Sequence, residues 1–331
     1  MLPTSRLRQA VAASAVAAVL LTAGCSSSVW SDVTPSAPPS QVPVEVLGAQ
    51  GAPPELEYPQ PYAVSRAGSR TLLPGTGAVL EDGGPVLLDM YAEDGRDGSV
   101  ISSTFTDAPS WYSMDPEALG QNLYDSLRGK RVGARVLLVE EDEGVPVVLV
   151  VDVLPTAATG ETVEVPDGLP DVLQEPDGSP RVLVPDGDPP QDLVVQPVVR
   201  GNGGQVSVGQ VVTARYVAVR WSDGTVVDSS WGEGVPPQSA TIGIGQLVEA
   251  WDQGLLEQSV GSRVMLVAPP YLAHGGTNSE LAEETMVYVV DILDARYQVT
   301  EELPPDEREG DGGTGDEASG GQQPAGTTEE G

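Results

Sequence analysis

Four residue types occur once each in this 331-residue chain: Cys25, His274, Phe105 and Lys130. A single cysteine excludes any intramolecular disulfide. One histidine and one cysteine cannot assemble a His/Cys metal cluster, and no cofactor signature takes its place. Cations are scarce, 16 Lys and Arg against 49 Asp and Glu, and the formal net charge is −33. That imbalance would repel a phosphate backbone and excludes nucleic acid as a partner. Aromatic residues make up only 5%, so large aromatic cores are not expected. Glycine (39) and proline (30) are abundant instead, which assigns much of the length to turns and extended connectors. No apolar run reaches the roughly 20 residues that a spanning helix needs.

The lone cysteine has an informative setting. Arg6 and Arg8 precede an apolar stretch from Ala10 to Leu21, then Thr22-Ala23-Gly24-Cys25 and three serines. A cationic start, a short apolar segment and small residues before a cysteine form a signal peptide over 1–24. The motif resembles the bacterial lipobox, with Thr22 departing from its usual aliphatic residue. That resemblance implies lipidation of Cys25 and an extracytoplasmic chain held at the cell membrane by acyl groups. The alternative is an ordinary secretory signal cut nearby. Residues 25–69 are expected to be a disordered tether. Residues 297–331 are expected to be a disordered acidic tail, too poor in apolar groups to offset ordering entropy.

Between these segments lies an internal repeat. Asp97-Gly98-Ser99-Val100-Ile101 matches Asp223-Gly224-Thr225-Val226-Val227, and Val132-Gly133-Ala134-Arg135-Val136 matches Val260-Gly261-Ser262-Arg263-Val264. A third match pairs Val147–Leu154 with Met286–Leu293. Three matches in one order imply a duplicated fold of about 90–100 residues, at 70–156 and 195–296. Short Val/Ile/Leu runs between DG and GS turns read as strands. One helix is expected near Pro116–Leu127 and another near Gln246–Leu256. The fold class is therefore α+β: two domains, each an antiparallel sheet wrapped on one short helix. Residues 157–194, with repeated Pro-Asp-Gly units, are expected to be a connector rather than a third domain. Asp186-Gly187-Asp188 lacks the oxygen ladder and closing Glu of a calcium loop. Gly243-Ile244-Gly245 opens no long helix and is no nucleotide loop.

The second copy carries chemistry. Its order is a strand ending at Tyr216, a DG turn, Asp228-Ser229-Ser230, a short helix around Trp251, Pro269-Pro270-Tyr271-Leu272-Ala273-His274-Gly275, and a last strand ending in Asp291-Ile292-Leu293. This resembles the FKBP family of peptidyl-prolyl isomerases, strongly over about 95 residues and weakly over the first copy. The resemblance implies a catalyst of rotation about X–Pro bonds. It implies Trp251 as pocket floor, Tyr216 and Tyr288 as aromatic walls, and Asp228 as a carboxylate at the pocket edge. Leu247 and Val248 correspond to the pair entering the helix, with Val227, Ala240 and Leu281 as further lining. His274 stands where the family has a tyrosine that donates to a substrate carbonyl. Imidazole also donates, with shorter reach and a charge state that follows pH. Gln238, Ala240 and Val227 replace aromatic walls, so the cup is thinned and weak to moderate activity is expected.

In the first copy the site is lost: Ser102, Leu123 and Leu149 stand for Asp, Trp and Tyr, and Tyr91 lies one position off register. Expected partners are proline-containing exported or unfolded proteins, with the chain acting as a monomer. A noncatalytic client-binding lipoprotein with the same folds is the competing reading. The composition, with Arg favoured over Lys, also resembles that of lipoproteins of high-GC Gram-positive bacteria.

Overall fold

The computed structural model of the chain describes residues 43–232 and 234–298. The signal peptide, Cys25 and all but two residues of the expected tail lie outside the described residues. The first repeat opens with a hairpin of β1 (Glu45–Leu47) and β2 (Glu55–Glu57). It continues through β3 (Gly68–Pro74), β4 (Pro85–Asp94), β5 (Val100–Ser103), β6 (Ser110–Ser113), α1 (Pro116–Leu119), α2 (Gln121–Leu127), β7 (Ala134–Asp142) and β8 (Val145–Leu154). The strand order is β3-β7-β8-β4-β5, with β6 also paired to β4. The second repeat has β9 (Glu161–Thr162), β10 (Asp171–Gln174), β11 (Pro180–Leu183), β12 (Val194–Arg200), β13 (Val211–Arg220), β14 (Val226–Ser229) and β15 (Gln238–Thr241). Next come α3 (Glu249–Gly254), β16 (Arg263–Ala268), a 3-10 turn at Pro270–Leu272 and β17 (Met286–Arg296). Its order, β14-β13-β17-β16-β12-β9 with β15 on β13, repeats the first sheet and adds β9 at the edge. Both sheets are antiparallel. The α+β expectation thus holds: two antiparallel sheets of matching strand order, each accompanied by short helices.

The helices are shorter than the apolar spacing suggests. Pro116–Leu127 breaks in two at Gly120, which adopts φ 74°. Asp115 caps the first piece by accepting from the backbone N–H of Glu117 and Ala118. The expected helix at Gln246–Leu256 begins only at Glu249, because Val248 is extended (φ −61°, ψ 140°). Residues 243–247 are instead drawn toward Asp252, whose carboxylate accepts from Gly243 N and Gly245 N, each at 2.7 Å. That brace shapes the loop leading into the site.

Equivalent positions are fixed by two buried ion pairs. Arg135 opposes Asp152 across β7–β8, and Arg263 opposes Asp291 across β16–β17. Both are bidentate: Nε and Nη2 donate at 2.6 and 2.7 Å in the first and at 2.6 and 2.8 Å in the second. Counting from them, Asp89 stands where the second repeat has Arg215, Met90 where it has Tyr216, and Leu149 where it has Tyr288.

Three boundaries need correction, two of them at the hairpins. Residues 43–69 are not wholly tether: Val44, Val46, Leu56, Tyr58, Tyr62 and Val64 pack on Leu137, Val139, Val148 and Val150 of the sheet. The 157–194 connector likewise belongs to the second repeat. Val172, Val182 and Val184, with Leu169, cover an outer sheet face built from residues such as Val217, Val219, Met265 and Val287. Each hairpin is pinned by the buried arginine of its own repeat. Arg135 donates to Gly48 O (3.1 Å) and Ala52 O (3.3 Å), and Arg263 donates to Gly178 O (2.7 Å). A Pro-rich segment can do this because Glu175–Ser179 closes a tight turn. Gly178 sits at φ 87°, and Asp177 accepts from Ser179 N and Oγ.

The two repeats also touch. Arg296, just inside the end of β17, donates to both oxygens of Asp89 at 2.8 and 2.7 Å, and Gln298 donates to Asp107 at 2.7 Å. Gln298 and Tyr297 therefore belong to the ordered body rather than to the tail expected from 297 onward. Asp89 is fully buried, so removing its cation would leave a charge supported only by Thr104 Oγ1 at 3.1 Å. Arg296→Met should cost about 2–5 kcal/mol of the coupling between repeats. Calorimetry should then resolve two unfolding transitions spaced further apart than in the parent chain.

Candidate active site

The concave face of the second sheet supports a core in which one residue in two along each strand points inward. From β13 these are Val212, Ala214, Tyr216 and Ala218, and from β17 they are Met286, Tyr288, Val290 and Ile292. α3 packs against this face through Ala250 and Trp251. The packing does not close. A cavity of about 380 Å³ remains, lined mainly by apolar atoms. Trp251 forms its floor, with two tyrosines set edge-on. The Tyr216 ring centroid lies 5.1 Å from the indole at 87°, and the Tyr288 centroid lies 6.0 Å away at 82°. Such T-shaped contacts hold the three rings as one rigid surface.

Polar groups gather at the rim. The Tyr216 hydroxyl donates to Asp228 Oδ2 at 2.5 Å, and Ser229 N donates to Asp228 Oδ1 at 2.8 Å. Burial first, and then the bond to Asp228, hold the Tyr216 phenol well above its ordinary range. It stays protonated and keeps donating, so Asp228 stays an acceptor with a fixed direction. Burial, followed by the nearby Asp228 charge, pushes Tyr288 up to about 12. Its hydroxyl meets His274 Nε2 at 3.3 Å. The partner that a tyrosine at this position needs is therefore the residue from the proline loop.

All ten residues singled out in the second copy line this one cavity: Asp228, Tyr216, His274, Trp251, Val227, Leu247, Val248, Tyr288, Leu281 and Ala240. Gln238 joins them as a polar wall. Sequence reasoning missed Val212, Ala218, Ile242 and Met286. Val212, Ala218 and Met286 each lie two or four positions along a strand from a residue that was found, so the alternation of strand side chains was the available signal, and Ile242 follows one residue after β15. In the first repeat, Met90, Leu123 and Leu149 pack with the core formed by Leu88, Met114 and Leu127. Apolar side chains occupy the positions of the tyrosines and the indole there. Ser102 sits opposite Ala92 as Asp228 sits opposite Ala218.

An aromatic floor beneath an acid–tyrosine rim, on the concave side of a sheet wrapped around a short helix, is the arrangement that the FKBP resemblance implies. The comparisons point to the same family. The profile of FKBP-type peptidyl-prolyl cis-trans isomerase matches residues 203–293. A FK506-binding protein of Streptomyces anulatus is 37% identical over 113 residues, which are 33% of this chain and 90% of that protein. A probable FK506-binding protein of Corynebacterium glutamicum is 32% identical over 114 residues, covering 34% and 94% respectively. The peptidyl-prolyl cis-trans isomerase Fkbp12 of Drosophila melanogaster is 38% identical over 82 residues, covering 24% and 74%. The chain belongs to the FKBP-type peptidyl-prolyl cis-trans isomerase family.

Proposed function

We propose that the second repeat is a working prolyl isomerase. It acts on proline-containing exported or unfolded polypeptides outside the membrane, in a monomeric chain anchored by a lipid on Cys25. The observation that carries the catalytic reading is the unfilled apolar cavity over Trp251, with Asp228 oriented at its edge by Tyr216. Rotation about an X–Pro bond meets a barrier of about 20 kcal/mol because twisting breaks amide resonance. No nucleophile is required. A site that seats the pyrrolidine on the indole strips water from the adjacent carbonyl, and the twisted amide depends less on that water than the planar one does. Tyr288 and His274 offer further hydrogen-bond donors at the cavity, and Asp228 sets the local field.

The anchor rests on the run from Arg6 to Cys25. Among the described residues no helix is long and apolar enough to cross a membrane. The thinned walls, Val227, Gln238 and Ala240, favour the second reading, a module that holds proline segments without turning them over.

Cis-to-trans rates on an X–Pro tetrapeptide separate the two. The parent chain should exceed the uncatalysed rate. Asp228→Ala should lose about tenfold or more, the equivalent of one hydrogen bond to a charged group. His274→Tyr should gain, because the phenol reaches further into the cavity. Identical rates for all three at the uncatalysed level would leave only the holding module.

A further inference from the structure

Asp228 is the penultimate residue of the edge strand β14, and the segment that follows it is held from the far side of the sheet. Ser230 is tied to Tyr216 three ways: Ser230 N donates to Tyr216 O at 3.0 Å, Tyr216 N donates to Ser230 Oγ at 2.8 Å, and the Ser230 hydroxyl reaches back to Tyr216 O at 3.5 Å. Arg215 donates to Ser230 O through Nε and Nη2, at 3.3 and 3.1 Å. The next residue, Trp231, turns under the sheet. The Arg215 guanidinium lies 3.9 Å from its ring centroid and that of Arg263 lies 5.9 Å away. Trp231 also packs into the apolar layer beneath the β10–β11 hairpin. A Cβ added at Gly178, in the hairpin turn, would sit 3.8 Å from Trp231 Cζ3. The hairpin therefore meets the segment only three residues beyond the pocket carboxylate.

We propose that the β10–β11 hairpin is a strap that positions Asp228, with Trp231 as the wedge between strap and active site. The proposal rests on the isomerase reading for its kinetic consequence but not for its structural one. With the strap seated, Gly178 O holds Arg263 and the strap valines confine Trp231. Trp231 with Arg215 then fixes Ser230, and Ser230 fixes the register of Asp228 against the Tyr216 hydroxyl. With the strap loosened, Trp231 is free to swing out, and the carboxylate loses its fixed approach to the cavity. Small displacements of this kind penalise a catalyst that works by orientation. The first repeat has a hairpin of its own but serine at the carboxylate position, so it provides an internal control.

The test uses the full chain labelled with ¹⁵N. Val172→Ser with Val182→Ser loosens the strap, and Leu56→Ser loosens the hairpin of the first repeat. The readouts are the chemical shift of the Ser229 amide, which donates directly to Asp228, and kcat/KM on an X–Pro tetrapeptide. The strap variant should move the Ser229 resonance and lower kcat/KM by about tenfold, chiefly through kcat. Leu56→Ser should lower the melting temperature while leaving both readouts unchanged. Trp231→Ala should reproduce the strap variant, and Trp231→Phe should restore most of the rate. If the double variant does not fold, Val182→Ala alone is read in the same way. A folded strap variant with an unmoved Ser229 amide overturns the proposal. A parent chain without activity but with a strap-sensitive Ser229 amide would remove the isomerase reading and keep the strap.

Discussion

Asp291→Ala is expected to lower the stability of the second repeat by about 3–5 kcal/mol, the usual consequence of breaking a buried ion pair on one side. Asp291 is fully buried and Arg263 is 3% exposed, so the guanidinium would be left without its bidentate partner in an apolar layer. The carboxylate also accepts from Ala158 N at 2.8 Å, a donor that would be orphaned as well. For a unit of this size the loss corresponds to a fall of roughly 10–17 °C in the melting temperature. Replacing both partners, Arg263→Met with Asp291→Leu, removes the stranded charge, and in a simple core that exchange is often neutral. Here it should recover only part of the loss, because Gly178 O and Ala158 N keep no partner. Full recovery in thermal melts would mean that the strap contributes nothing to the stability of the pair.

The second large effect is expected from Trp251→Leu. Leucine is the residue that the first repeat carries at this position, Leu123, where it is buried among Leu127, Leu138 and Met114. In the second repeat the neighbours are different. Tyr216 and Tyr288 each present an edge to the indole, and each such contact is worth about 0.5–1.5 kcal/mol. The substitution should cost about 2–3 kcal/mol of stability in total and bring peptide isomerisation close to the uncatalysed rate. The flat surface that receives the proline ring would be gone, while the two tyrosines would be left to collapse toward the gap. A Trp251→Leu chain that isomerises peptides at the parental rate would show that the indole is core packing and that the chemistry takes place elsewhere.

The cavity was legible in the sequence through the order of motifs shared with the FKBP family, since Tyr216, Asp228, Trp251, His274 and Tyr288 come from strands, a helix and a loop and have no single periodicity in common. Tyr216 and Tyr288 sit on strands of 10 and 11 residues, and neighbours two positions away share their face. The same rule, carried further, would have added Val212, Ala218 and Met286. The buried Arg–Asp pairs were present in the sequence as matched repeat segments, though nothing local says that Arg263 faces Asp291 rather than solvent. The hairpins were hidden for a different reason. β1 and β2 have three residues each, and β10 and β11 have four. At that length alternation carries little signal, and the prolines around them pointed to a connector. Their burial depends on an outer sheet face contributed by strands far along the chain. The bond between Arg296 and Asp89 spans 207 positions and has no local signature at all.

That bond also fixes which repeat takes which side of the joint. The acceptor is Asp89, and its counterpart in the second repeat is Arg215, which would repel an incoming guanidinium. The donor is Arg296, and the residue at the matching distance beyond Asp152 is Ala157, which has nothing to donate. Each half thus carries one end of a joint and lacks the other. This joint is therefore made once between the two repeats and cannot be formed again with their roles exchanged.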